Sequence, residues 1–219
     1  MHIMKRETEI AITERLLAHL DAGTTAMAPG EGRLLVSDYL SPERFAAEQG
    51  ALFRRLPIVI AHASEVAAPG SFFTHDALGV PLVVTRDGAG ALGAFLNVCR
   101  HRGARVVREA HGEGKKALSC GYHAWTYGLD GALLHHPHAE GFPDTPHCNR
   151  GLVPVPVEEH AGLVWAVPAP RATMDLPGFL GPLAGELSAL ALRDHVVHRT
   201  ATVHRRFNWK LIILSLIHI

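Results

Sequence analysis

The hydrophobic pattern begins with helical spacing. Over residues 7–21, Ile12, Leu16, Leu17 and Leu20 recur at intervals of three and four, which predicts a helix with those side chains near one face. Asp21-Ala-Gly23 ends it, and the Gly-, Ala- and Thr-rich residues 22–33 read as a linker. Ser41-Pro42-Glu43 is a helix start, with Ser as N-cap, Pro at the first helical position and an acid in the first turn. This helix is expected to run to about residue 55, with Phe45, Leu52 and Phe53 inward, until Pro57 stops it.

From residue 57 the period shortens to that of strands. Ile58-Val-Ile60 is a short apolar run, and Pro69-Gly70 is a turn. Residues 80–85 and 91–98 form a hairpin across Asp87-Gly88, which delivers Cys99 at a strand end. Residues 116–119 are a short strand delivering Cys120, and Asp130-Gly131 turns the chain within 126–134. Residues 152–157 and 163–167 are expected to pair. Residues 57–168 thus read as an antiparallel β domain from which two loops project. Pro168-Ala-Pro170 marks a boundary, residues 183–192 a short helix, and residues 195–207 a weakly alternating strand.

The two loops carry the chemistry. Cys99-Arg-His101 is followed, eighteen residues later, by Cys120-Gly-Tyr-His123. Two thiols and two imidazoles at such spacing point to a metal, and zinc would accept them in a tetrahedron. Common zinc sequences, however, pair Cys with Cys and His with His. Here each loop gives one of each, which suits a Rieske [2Fe–2S] centre, where two Cys hold one iron and two His the other. Cys99 and Cys120 would take the inner iron, and His101 and His123 the outer. Two ferric ions, two sulfides and two thiolates leave the oxidised cluster uncharged, whereas four thiolates would leave it negative and reluctant to accept an electron. Exchanging two thiolates for imidazoles raises the potential from about −400 mV to roughly −150 to +300 mV.

Composition narrows the partners. Lys+Arg and Asp+Glu are 21 each, so the chain lacks the charge footprint of a nucleic-acid or anionic-membrane binder. No apolar run reaches the roughly 18 residues of a membrane span. The start, Met1-His-Ile-Met-Lys-Arg-Glu, lacks an apolar export core. Three Cys, two of them in the candidate site, suit a reducing, cytoplasmic location better than a disulfide framework. Among the 16 His, the trio His135, His136 and His138 around Pro137 reads as a solvated loop, and Cys148 as a plain thiol.

Phe95-Leu-Asn-Val-Cys-Arg-His-Arg-Gly-Ala-Arg105, Cys120-Gly-Tyr-His-Ala-Trp-Thr-Tyr127 and Leu129-Asp-Gly131 together resemble the N-terminal part of the large (alpha) subunit of Rieske non-heme iron ring-hydroxylating oxygenases. Residues 56–84 and 163–168 resemble its flanks, and Phe179-Leu-Gly-Pro-Leu183 and Asn208-Trp-Lys-Leu211 the opening of its catalytic domain. The resemblance covers about residues 35–213. Gly121 and Ala124 stand where the family often has Pro and Gly. They remove no ligand but alter the stiffness of the second loop.

The resemblance implies a mainly β fold: N-terminal helices (1–56), a Rieske [2Fe–2S] antiparallel β domain (57–168) and the truncated start of an α+β catalytic domain (169–213). It makes Cys99, His101, Cys120 and His123 the cluster ligands, packs Trp125 and Tyr127 behind the second loop, and has Gly103 permit the tight first loop. For Trp125 a plain core role stands beside an electronic one. For Arg100, Arg102 and Arg105 a solvated loop stands beside a docking surface for an electron donor.

The implied enzyme is a dioxygenase or monooxygenase. It takes electrons from a ferredoxin or reductase and passes them to a mononuclear Fe(II), present only in the full-length protein, for O2-dependent hydroxylation of an organic, aromatic-type substrate. As a full-length protein it would assemble as a homotrimer or alpha3beta3. In the family the iron triad of two His and one carboxylate starts after the Asn-Trp-Lys motif and is completed far downstream. This chain is therefore expected to lack it, to be inactive alone, and to give His218 no role. Two alternatives are a stand-alone Rieske ferredoxin-like carrier, against which the segments flanking the β domain argue, and a structural zinc domain.

Leu214-Ser-Leu-Ile-His-Ile219 is what the transposon mosaic-end adapter of sequencing libraries encodes, so residues 214–219 are expected to be adapter read-through. The coding DNA should then read CTG TCT CTT ATA CAC ATC at this point, and any other codons there sink the idea.

Overall fold

The structure, a computed structural model, describes residues 4–27, 29–77, 79–141 and 147–216, without the side chains of Ala77, His147, Cys148, Ser215 and Leu216. His218 and the thiol of Cys148 lie outside what is described. Two compact units divide the chain: residues up to Ala46 together with those from Val203 onward, and Ala47–Thr202.

In the first unit α1 spans Arg6–Ala22. Gly23 ends it at φ 63°, and the next amide, Thr24 N–H, donates back to His19 O at 2.9 Å, a Schellman-type close. The expected helix is present; no residue of α1 is buried, and Leu16, Leu17 and Leu20 are exposed. Periodicity marks a face that wants a partner without supplying one, and none of the described residues of this unit is buried. After α2 (Ser37–Leu40), α3 (Pro42–Glu48) starts as the sequence indicates, with Ser41 Oγ accepting from Arg44 N–H at 3.1 Å. It leaves α geometry early, as a π turn over Gln49–Phe53, and Phe45 and Leu52 are exposed rather than inward. A helix over Lys210–Leu216 completes the unit. Asn208 Oδ1 accepts from Lys210 N–H at 3.0 Å, and its Nδ2 donates to Tyr39 O at 2.9 Å.

Among the described residues the second unit holds ten strands: β1 (Ile58–His62), β2 (Phe72–Ala77), β3 (Val80–Arg86), β4 (Leu92–Leu96), β5 (His111–Gly112), β6 (Ala117–Ser119), β7 (Thr126–Gly128), β8 (Leu133–His135), β9 (Val157–His160) and β10 (Leu163–Ala166). They form three antiparallel sheets, ordered β1-β10-β9, β4-β3-β2-β5 and β6-β7-β8. β3 explains the layering. Its run Val80-Pro-Leu-Val-Val-Thr85 is apolar at nearly every position because both of its faces are covered. Val83, with Phe72 and Phe95, faces the core that contains Cys99 and Cys120. Leu82 and Val84, with Phe73 and Ala94, face the core shared with Ile60, Val164 and Ala166 of the β1-β10-β9 sheet. Each such side chain contributes about 1.5–3 kcal/mol by burial. Thr85 Oγ1 donates to Leu129 O at 2.6 Å, and the Arg86 guanidinium bonds Glu159, pinning β3 to both neighbouring layers.

The expected hairpin is β3–β4, although β4 stops at Leu96, three residues short of Cys99. Residues 152–156 are not a strand: Pro154 and Pro156 lack donors, and only an isolated Phe95↔Pro154 bridge forms before β9 begins at Val157. Residues 195–207 form no strand either: among the described residues no strand pairs with them, and Val197 N–H donates instead to Ser64 Oγ at 3.2 Å. Helices α4 (Leu176–Leu180) and α5 (Leu183–Ala189) share a small core with Trp165. Among the described residues no helix is long and apolar enough to cross a membrane.

The β9–β10 turn has Ala161 at φ 53° and Gly162 at φ 83°, as a two-residue primed turn demands. A Cβ at Gly162 would strike the backbone of Leu192 and Arg193. Gly162→Ala is expected to cost about 2–4 kcal/mol, combining the left-handed backbone with the clash. A denaturant-unfolding midpoint within error of wild type would contradict this.

Candidate metal centre

The two loops share one backbone design. In the first, Cys99 N–H donates to Ala104 O (2.7 Å) and Gly103 N–H to Cys99 O (2.9 Å). In the second, Cys120 N–H donates to Trp125 O (2.8 Å) and Ala124 N–H to Cys120 O (3.0 Å). In each, the residue four beyond the Cys is left-handed: Gly103 at φ 74° and Ala124 at φ 55°. Gly adopts this at little cost, whereas Ala gives up about 1 kcal/mol. One His stands two residues after its Cys and the other three, and this difference lets equivalent loops bring their rings together. The His101 and His123 ring centroids lie 4.8 Å apart at 73°.

The structure therefore gathers all four sequence-predicted residues. His101, Cys120 and His123 line one cleft of about 570 Å³, and Cys99 lies with Cys120 in the core beneath. Both thiols are buried and unbridged, while both imidazoles are partly exposed. His123 Nδ1 is buried without a hydrogen-bond partner, a donor atom waiting for a ligand. Burial first, then the neighbouring His123, Arg102 and His136, hold the His101 imidazole below its ordinary pKa, favouring the neutral form that binds metal. Among the described residues no three His, Cys, Asp or Glu are placed to hold a single ion. A two-iron cluster asks for only two protein ligands per iron, so this donor set fits it.

Two supporting residues, Asn97 and His136, were not legible in the sequence, and for Tyr127 only its place behind the second loop was expected. Asn97 is fully buried. Its Oδ1 accepts from Val106 N–H and Val107 N–H (both 3.0 Å), and its Nδ2 donates to Val107 O (2.7 Å), closing the base of the first loop. Tyr127 lies behind the second loop but reaches the first: its hydroxyl is 3.3 Å from Cys99 Sγ and accepts from Arg100 N–H at 3.0 Å. Burial, then the contact with Cys99, raise the Tyr127 phenol above its ordinary pKa, so it remains a donor. His136, expected in a solvated loop, is only 3% exposed and stacks on Trp125. Of the three arginines near the loops, Arg105 is engaged by Asp76 at 2.7 and 3.2 Å, while Arg100 and Arg102 are exposed.

Residues 57–153 match the family model of the Rieske [2Fe-2S] domain. The chain carries a Rieske domain. It is homologous to the alpha subunits of Rieske oxygenases, and that domain implies a [2Fe–2S] cluster. The carnitine monooxygenase oxygenase subunit of Acinetobacter baumannii is 35% identical over 184 residues, covering 80% of this chain and 47% of that protein. The solved structure of a quaternary ammonium Rieske monooxygenase, described for carnitine oxidation and inter-subunit electron transfer, aligns with TM-score 0.75 at 32% identity, covering 81% of this chain and 48% of that one. A naphthalene 1,2-dioxygenase bound to phenanthrene aligns with TM-score 0.59 at 30% identity, over 65% of this chain and 32% of that one. The chain spans about half the length of the curated relatives it matches.

Two outcomes are expected from this geometry. Asn97→Ala should lower stability by about 3 kcal/mol or more, because buried amides are stranded at about 1–3 kcal/mol each. An unchanged unfolding curve would refute the clamp. Tyr127→Phe removes a donor from Cys99, and a donor favours the more negative reduced state. The midpoint potential should therefore fall by tens of mV, on a scale of about 59 mV per factor of ten for one electron. Protein-film voltammetry showing no fall, or a rise, would show that the hydroxyl does not act on the thiolate.

Proposed function

We propose that Cys99, His101, Cys120 and His123 hold a [2Fe–2S] cluster, the thiolates on an inner iron and the imidazoles on an outer one, within the alpha subunit of a Rieske oxygenase. The carrying observation is the pair of backbone-equivalent loops that bury both thiols and bring the two imidazoles together at 4.8 Å. When bound, the cluster supplies one-electron storage at a potential well above that of a four-thiolate ferredoxin. The chain's own residues set the conditions: the Cys N–H bonds fix the loops, Val106, Val107, Leu118 and Leu133 exclude water beneath the thiols, and Tyr127 directs a proton donor at Cys99.

On this reading residues 57–168 are the cluster domain and 169–213 the opening of the catalytic domain, preceded by the helical residues 1–56. A ferredoxin or reductase donates electrons, a mononuclear Fe(II) in the full-length protein activates O2, and the assembly is a homotrimer or alpha3beta3. Exposed Arg100 and Arg102 beside the imidazoles suit an acidic donor. The unbridged thiols suit the cytoplasm. For substrate we favour a quaternary ammonium compound over an arene, because the likeness to the quaternary ammonium enzyme covers 81% of the chain and that to the naphthalene enzyme 65%.

Iron and acid-labile sulfide should be equimolar in the purified chain, two of each per polypeptide, with a Rieske-type signal on reduction that Cys99→Ser abolishes. Zinc without a signal would replace the cluster by a structural site. In the full-length protein with its reductase, L-carnitine-like substrates should drive O2 uptake. Uptake with arenes alone would reverse the substrate assignment, and a reading frame without a two-His, one-carboxylate triad would rule out an oxygenase.

A further inference from the structure

His136 follows β8, and the strand register explains where it lands. Ser119 pairs with Thr126, and Thr126 with His135. One step further along the same row come Cys120, Trp125 and His136. The Cys120 N–H to Trp125 O bond confirms the first half of that row, and the rings confirm the second: Trp125 and His136 stack at 4.9 Å and 27°. Trp125 also stacks on His101, at 5.1 Å and 6°. Both Trp125 and His136 are 3% exposed. Burying an imidazole where a leucine would cost nothing calls for a reason.

The reason lies in a torsion. The ring plane of a histidine is set by χ2, which is broad and only weakly directed by its own rotamer wells. The plane of an imidazole is thus open to being set by what packs on it, and the near-parallel indole of Trp125 packs on His101. The indole has the same weakness about its own χ2, and the His136 ring lies against it. Offset stacking at these centroid separations is favourable and selects among ring orientations.

We propose that His136 is a positioning residue for the cluster, acting through Trp125 to fix the plane of His101. This rests on His101 being a ligand, as proposed above. Its part is that of an aromatic plate, and its ring rather than its charge carries the effect.

The test compares His136→Leu, which fills the space without a ring, with His136→Phe, which keeps a ring without nitrogen, in the whole chain carrying its cluster. In the Leu variant the g-values of the reduced cluster should shift, and its visible absorption should be lost to a chelator several-fold faster than in wild type. The Phe variant should match wild type in both. A Leu variant with lowered Tm but wild-type g-values and wild-type cluster loss would reduce His136 to ordinary packing and overturn the proposal. A Phe variant as perturbed as the Leu variant would overturn it too, by assigning the effect to the nitrogens. If the Leu variant does not fold, His136→Met takes its place with the same opposing outcomes. A wild-type chain without a Rieske signal sinks the ligand assignment and this proposal together, whereas a normal wild-type signal with an inert His136→Leu sinks this proposal alone.

Discussion

The hydrogen bond from each cysteine amide to the carbonyl five residues later is the constraint on which the site depends. It turns a loop back on itself in six residues, and it can do so only if the residue after the histidine-bearing stretch adopts a left-handed conformation. Made twice, it fixes two thiols facing inward and leaves two imidazoles at the rim. Neither loop is long enough to carry a core of its own. Each borrows rigidity from what lies beneath: Asn97 under the first, the β6-β7-β8 row under the second, and Tyr127 linking the second back to Cys99.

That borrowing explains why β3 is buried on both faces. A single-layered sheet would hold the loops at one edge of a thin support. Here the four-stranded sheet lies between two cores, one below the cysteines and one against β1, β10 and β9. Thr85 and Arg86 extend from its end to the layers on either side. The candidate site is consequently backed by close-packed side chains, in which a small displacement of any of its Cys or His residues is resisted by many contacts.

The first unit is the counterpart. Its helices have sound caps, at Gly23, Ser41 and Asn208, yet bury nothing among the described residues. Capping is local and needs only neighbouring backbone, whereas burial needs another surface. The same distinction separates the readings that held from those that failed. The β3–β4 hairpin and the start of α3 followed from local spacing. The inward face of α3, the strand at 195–207 and the solvated state of His136 each required knowing what lay opposite.

By itself the sequence determined the donor chemistry, two thiols and two imidazoles offered as mixed pairs, and the places where the backbone must turn, because both are properties of residue type and short-range spacing. It could not determine which polar side chain would be drawn into the core. In isolation His136 looks like a loop residue and Asn97 like a polar residue near a strand end. They are buried because the strand register sets them under and beside the loops, where three backbone groups need Asn97 and an indole ring lies against His136. Register is a pairing between distant segments, so only the tertiary structure could decide it.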